Sequence, residues 1–162
     1  DPNGLRIYIT IERRLNEDSV PSTGNGTGRG VTEVRLTGAS ISCSRCRLQI
    51  KGRHTKIMYV LSPENEKWNR RLERYNRKWG YPRSNNKERE ATIAHEMDHW
   101  QSWSKVESFI NELNSKDGKF VFFCNSEAAR LREKLRTLTD EAIMESGRYD
   151  REPGMNQGGM YR

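Results

Sequence analysis

The segment His95-Glu96-Met97-Asp98-His99 constrains the fold more than any other part of the chain. Its two histidines stand four residues apart, and residues at that spacing share one face of an α-helix. The preceding stretch Lys87–Glu90 is strongly helix-forming, and Ser84–Asn86 offers capping side chains just before it. We therefore expect an α-helix that begins near residue 85 and contains both histidines.

An apolar stripe runs along this predicted helix. Ile93, Met97 and Trp100 recur at spacings of four and three residues, which is the period of a helix face that packs on a core. His95 and His99 lie beside this stripe and not opposite it. We expect the two imidazoles at the edge of a core, partly shielded from water.

Two histidines and a glutamate in this order form the HExxH pattern of zinc hydrolases. Both imidazoles can bind one zinc ion, which lowers the pKa of a bound water and polarises a substrate carbonyl group. Glu96 follows the first histidine, where it can act as the general base that removes a proton from the water. The pattern predicts a zinc site with His95 and His99 as ligands.

A catalytic zinc normally takes three protein ligands, so a third is needed. If the last two helices pack antiparallel about a turn near residue 118, the residue opposite position 97 lies at about 139–141. This favours Asp140, Glu141 or Glu145, and Glu145 also continues the apolar stripe of the last helix. The alternative is that these acids are ordinary surface residues. His54 is expected in a turn between strands and is a weaker candidate.

Composition and length indicate a single domain. The chain has 162 residues, of which 33% are hydrophobic and 31% charged, enough for one economical core. No apolar run approaches the roughly 18 residues that a membrane span requires, so we expect none. A chain that opens Asp1-Pro2 is expected to be a processed product, so the missing signal peptide does not bear on export.

The order of predicted elements indicates an α+β fold, with a small N-terminal antiparallel or mixed β-sheet packed on helices. Residues 1–62 are expected to be mainly β, 64–148 mainly α and 149–162 a tail, all within one domain, 1–162. The predicted strands are Leu5–Leu15, Val31–Leu36, Ala39–Ile50 and Lys56–Leu61, with a long loop at Asn16–Gly30. The predicted helices are Glu64–Trp79, the HExxH helix as far as Leu113, and Ser126–Ser146, with a short buried segment at Phe120–Phe123.

The net charge of +7 raises the question of an anionic partner. Aromatic residues alternate with arginines in the helix Glu64–Trp79, a mixture that could stack on bases. However, Trp68, Leu72, Tyr75 and Trp79 follow helical spacing and are expected to face inward. Nucleic acid is therefore not expected as a partner, and a DNA-associated zinc protease stays as an alternative.

The three cysteines leave two interpretations open. Cys43 and Cys46 form one CxxC pair, whereas a zinc ribbon needs two such pairs. Cys124 could form a disulfide with Cys43 or with Cys46 in an exported protein, which would leave one free thiol. The alternative is that all three are reduced.

The C-terminal part of the chain carries a resemblance to a known family. Cys124 precedes a long helix, followed by Tyr149-Asp150-Arg151-Glu152 and by Gln157-Gly158-Gly159. Together with HExxH this resembles domain-of-unknown-function family 922, bacterial predicted secreted or periplasmic zinc peptidases with the tail pattern YDxETxHGxxQG. The resemblance covers about Glu90–Gly159 and implies a zincin-like fold, zinc as cofactor, export from the cell, and a peptide or protein substrate.

The chain departs from the family tail at two positions, Pro153 and Met155, which replace its threonine and its histidine. If the aspartate of the Tyr-Asp pair is the metal ligand, then Asp150 completes the site, an arrangement similar to that of aspzincin proteases. If the histidine is the ligand, the chain has lost a ligand and is expected to be a weak or altered enzyme. The altered tail also leaves open the alternative of a noncatalytic binding domain on a degenerate scaffold. We favour Asp150, a monomeric zinc peptidase, and a peptide that pairs with the predicted strand Lys56–Leu61.

Overall fold

The computed structural model describes residues 6–21, 28–68 and 85–151, and the side chains of residues 85, 86 and 149–151 lie outside that description. Within the described ranges lie three strands and three helices of more than ten residues each, an α+β arrangement as predicted. The strands are β1 (Ile7–Glu17), β2 (Gly30–Ser44) and β3 (Arg47–Leu61), and the helices are α1 (Asn85–Gln101), α2 (Ser104–Lys116) and α3 (Cys124–Arg151). Of the predicted helix Glu64–Trp79, residues 66–68 are helical and the remainder lies outside the described residues.

The strands form a mixed sheet in the order β1-β3-β2. The amide of Ser62 donates to the carbonyl of Glu17 at 3.0 Å, so β1 and β3 end side by side and run parallel. β3 therefore has a neighbour on each side, and alternate residues along it are buried. The expectation that Lys56–Leu61 offers an edge to a peptide is wrong, because this segment belongs to the central strand.

A tight hairpin joins β2 to β3. The sequence predicted strand breaks near residues 37–38 and 51–55, but the turn lies at Arg45 and Cys46, whose φ angles are 52° and 63°. Two successive positive φ angles match the twist of a two-residue hairpin, a conformation usually supplied by Asn-Gly. His54, predicted in a turn, is a fully buried residue of β3.

The helix that contains the two histidines is shorter than predicted. It ends at Gln101 and not at Leu113, and α2 begins separately at Ser104. Between the two helices, Ser102 and Trp103 are buried, and Trp103 has φ −96° and ψ 0°, outside the helical region. Within the described residues, no helix is long and apolar enough to cross a membrane.

The described chain divides into two compact units. The first contains the described residues of Asp1–Ile11, Val34–Lys56 and Ser102–Glu145, and the second those of Glu12–Glu33, Ile57–Gln101 and Ser146–Arg162. The core of the first unit comprises Ile7, Ile41, Leu48, Ile50, Trp103, Val106, Phe109, Ile110, Leu113, Cys124, Ala128, Leu131, Leu135 and Ala142. The core of the second comprises Met58, Val60, Leu61 and Trp68, so the predicted inward position of Trp68 is confirmed.

A disulfide links the hairpin of the first unit to the start of α3. It joins Cys43 to Cys124, and Cys46 is a free, exposed thiol. The sequence left open a disulfide of Cys124 with Cys43, one with Cys46, or three reduced cysteines, and the structure has the Cys43–Cys124 disulfide. Asn114 of α2 adds two hydrogen bonds to the backbone of Ile7, both of 2.8 Å.

The first unit also buries a cluster of charged groups. Glu107 of α2 accepts hydrogen bonds from Lys56 Nζ at 2.7 Å and lies 3.1 Å from His54 Nε2. Burial alone raises the pKa of the Glu107 carboxyl, but the hydrogen bonds and charges of His54 and Lys56 outweigh it and hold that pKa below its ordinary value. Glu107 is therefore the ionised partner of two β3 side chains.

Candidate metal centre

The core of the second unit fixes the position of α1. Ile93, Met97 and Trp100 pack against that core, as the stripe in the sequence predicted. Arg89, near the start of the helix, donates to the carbonyl of Leu15 at 2.5 Å and to that of Leu61 at 3.3 Å. The helix is thus attached to the ends of β1 and β3.

The imidazole rings of His95 and His99 contact each other. Their Nε2 atoms lie 3.2 Å apart, and the ring planes are inclined by 83°. Two ligands bound to zinc at about 2.0–2.1 Å with tetrahedral angles have nitrogen atoms separated by about 3.3–3.4 Å. An N–H···N hydrogen bond between the rings fits the same distance. The separation of the two Nε2 atoms is therefore close to that of two nitrogen ligands on one zinc ion.

Ser146 of α3 orients the second of these rings. Its Oγ lies 2.6 Å from Nδ1 of His99, on the side of the ring away from His95. When Nδ1 donates this hydrogen bond, Nε2 keeps its lone pair for a metal. An outer partner of this kind fixes the tautomer and the orientation of a metal-binding histidine.

Thr32 of β2 holds the side chain of Glu96. Its hydroxyl donates to Glu96 Oε2 at 2.7 Å, and the Glu96 side chain is 6% exposed. β2 approaches α1 closely here, since a Cβ atom built on Gly30 would lie 2.6 Å from Thr92 Cγ2. Gly30 therefore permits the contact that brings Thr32 to the carboxylate.

Among the side chains that the structure describes, no third His, Cys, Asp or Glu completes a group of three with the two histidines. Glu141 and Glu145 are exposed on α3, and Asp140 lines a surface groove of about 290 Å³ in the first unit. The expectation that Glu145 continues the buried stripe is wrong, because Ala142 is buried while Glu145 is exposed.

The predicted ligand Asp150 lies in the last turn of α3, and its side chain is outside the described part of the chain. Its backbone belongs to α3. Residues 146 and 150 are four apart on one helix, so they share a face and are about 6 Å apart along the axis. Pro153 and Met155 lie outside the described residues.

Sequence reasoning missed three residues of this site: Gly30, Thr32 and Ser146. The position of Ser146 had a signal, because it stands four residues after Ala142 and extends the inward face of α3. No sequence pattern predicted Thr32 or Gly30 as site residues. They look like ordinary strand residues and belong to the site only because β2 contacts α1 at this point.

Comparison with known proteins returns no match among protein-family models, curated proteins or solved structures.

Proposed function

We propose that the chain is a zinc-dependent peptidase, in which His95 and His99 bind the metal, Asp150 is the third ligand and Glu96 is the general base. The observation that supports this most is the 3.2 Å separation of the two Nε2 atoms on one helix face. The resemblance of HExxH and of the Tyr149-Asp150 pair to domain-of-unknown-function family 922 implies the same cofactor and the same activity.

A zinc ion bound here would lower the pKa of a water and polarise the carbonyl of the scissile peptide. The protein side chains do the remaining work. Glu96 accepts the proton of the attacking water and transfers it to the leaving amine. Thr32 donates to Oε2 of that carboxylate and so holds the orientation of the proposed base.

The substrate is assigned to the outer edge of β2. β2 is an edge strand of the sheet formed by the described residues, and its first residues contact α1 beside Glu96. An extended peptide that pairs with such an edge gains main-chain hydrogen bonds along its length. This position replaces the central strand that the sequence suggested.

Export from the cell is the proposed location. The Cys43–Cys124 disulfide is compatible with it, because disulfides persist in secreted and periplasmic proteins and are rare in the reducing cytosol.

Zinc content measured by elemental analysis tests the metal site. The purified protein is expected to contain one zinc ion per chain, and His99→Ala is expected to contain none. Ser146→Ala keeps both ligands and is expected to bind zinc about 10–100-fold more weakly, as for other outer-shell changes. A wild-type protein that takes up no zinc when the metal is added would refute the site.

The third ligand is tested by matched carboxyl-to-amide changes on α3. Asp150→Asn is expected to weaken zinc binding by at least about tenfold, whereas Glu141→Gln and Glu145→Gln leave it unchanged. The control variants alter the same helix and the same net charge. Weaker binding in Glu145→Gln, with Asp150→Asn unaffected, would move the assignment to Glu145.

Peptidase activity is tested with a mixture of unstructured peptides and analysis of the fragments. Glu96→Gln is expected to retain zinc and to lose activity by about a hundredfold or more. Glu90→Gln, an exposed glutamate of the same helix, is the control and keeps full activity. Zinc binding without cleavage in any of the three proteins would favour the alternative, a noncatalytic binding domain.

A further inference from the structure

We propose that the first unit carries a docking site for anionic lipid bilayers, built from three phenylalanines and three cations at the β2–β3 hairpin. This surface, the aromatic tip, consists of Phe120, Phe122, Phe123, Arg45, Arg47 and Lys119. It is independent of the zinc site and of the proposed peptidase activity.

The phenylalanines of the aromatic tip face the solvent. The sequence predicted Phe120–Phe123 as a buried segment, but Phe120, Phe122 and Phe123 are 53%, 79% and 86% exposed. Phe120 and Phe122 contact each other edge to face, with ring centroids 5.1 Å apart. Large apolar side chains left in water at neighbouring positions mark an interaction surface rather than a core.

The protein holds this exposed segment in place. The amide of Val121 donates to Cys46 at 2.8 Å, that of Leu48 to Lys119 at 3.0 Å, and that of Gly118 to Leu48 at 2.7 Å. The disulfide to Cys124 attaches the segment at its far end. The aromatic side chains are thus presented on a fixed backbone beside the hairpin turn.

Phe123 is an unfavourable residue for its local conformation. Its φ is +55°, and its carbonyl accepts the first hydrogen bond of α3, from the amide of Glu127. This is an N-cap position, which favours Asn, Asp, Ser or Thr, and a positive φ disfavours a bulky side chain. A phenylalanine that serves neither the core nor the helix end indicates a role at the surface.

The charges around the phenylalanines indicate the partner. Arg45, Arg47 and Lys119 are exposed cations. Two carboxylates lie nearby: that of Asp117 accepts a hydrogen bond from the amide of Ile50, and that of Glu127 pairs with Arg130. Protruding aromatic side chains enter the headgroup region of a bilayer, and adjacent cations are attracted to anionic headgroups. This combination favours an anionic bilayer over a zwitterionic one.

Vesicle co-sedimentation of the full chain tests the proposal. At 0.1 M salt the protein is expected to bind phosphatidylcholine vesicles that contain 30% phosphatidylglycerol, and not to bind pure phosphatidylcholine. The double variant Phe122→Ala/Phe123→Ala is expected to bind at least about tenfold more weakly. The matched control Ile143→Ala/Met144→Ala removes two exposed apolar side chains of α3 and keeps the binding.

A second pair of variants separates local charge from net charge. Arg45→Glu/Lys119→Glu and Lys51→Glu/Arg53→Glu change the net charge equally, and all four residues are exposed. Only the first pair is expected to weaken binding, by about tenfold or more. Equal losses in both pairs would show that the overall charge of +7 is responsible and would overturn the proposal.

Two further measurements avoid ambiguity from misfolding. Phe123→Asn is expected to bind vesicles more weakly while its thermal midpoint rises by about 2–4 °C, because Asn suits this cap. A fluorophore on Cys46, the free thiol, is expected to shift to the blue only with anionic vesicles. Absence of vesicle binding by the wild type overturns the proposal. A wild-type dimer that forms with rising concentration, and that is lost in Phe122→Ala/Phe123→Ala, also overturns the proposal, because the surface would then join two copies of the chain.

Discussion

Replacing Cys43 and Cys124 by alanine is expected to remove a large part of the stability of the fold. The disulfide between them spans 81 residues. In the chain-entropy treatment, closing a loop of that length lowers the entropy of the unfolded chain by about 15 cal/mol/K, or about 4.5 kcal/mol at 25 °C. Folded domains are typically stable by about 5–15 kcal/mol, so the loss is a major fraction of the total.

Urea unfolding followed by circular dichroism measures this effect. The double alanine variant is expected to have a free energy of unfolding about 4–5 kcal/mol below that of the wild type. Its thermal midpoint should fall by about 9–18 °C, given the 2–4 °C per kcal/mol usual for chains of this length.

Cys46→Ala is the matched control, because this thiol is exposed and outside the disulfide. It is expected to unfold within about 0.5 kcal/mol of the wild type. Equal stability of the double variant and the wild type would refute the loop-entropy argument. A free-thiol assay on the denatured, unreduced wild type should find one thiol per chain, and three would contradict the disulfide itself.

Two further outcomes follow from single contacts. Gly30→Ala is expected to lower the free energy of unfolding by about 1–3 kcal/mol in urea denaturation, because its Cβ would stand 2.6 Å from Thr92 Cγ2; an unchanged value would contradict the close approach of β2 to α1. The pKa of the Glu107 carboxyl is lower in the folded state than its ordinary value of 4.5. The ionised carboxylate therefore stabilises the fold fully above pH 4.5, and this stabilisation is lost as the pH falls through the lower, folded-state pKa. The free energy of unfolding should therefore fall in acid. It should fall less steeply in Glu107→Gln, where the partners His54 and Lys56 face an amide. If the curves of unfolding free energy against pH were parallel for the two proteins, this role of Glu107 would be excluded.

The sequence predicted those parts of the fold that depend on neighbours along the chain. The periodicity of Ile93, Met97 and Trp100 predicts both the helix and the face that packs on the core, and both are observed. The alternation of β1 and the order of strands and helices likewise predict the α+β class. Each of these features depends on residues within one or two turns or strand repeats, so local chemistry is sufficient.

The predictions from sequence were wrong where contacts between residues distant in the chain overrode local conformational preferences. Arg45 and Cys46 carry no Asn-Gly signal, yet they form the turn between β2 and β3, which are hydrogen-bonded neighbours in the sheet. The run Phe120–Phe123 has the composition of a buried segment, but only Val121 packs against the core, while Phe120, Phe122 and Phe123 are exposed.

By itself the sequence determined that His95 and His99 lie about one turn apart on a helix, with Glu96 next to His95, since the helical period alone fixes that geometry. Only the tertiary structure decided what surrounds them. Thr32 is 64 residues from Glu96, and Ser146 is 47 residues from His99. Both pairs lie within the second unit, where the first residues of β2 and the last residues of α3 meet α1. No local pattern encodes a contact between residues so far apart in the sequence.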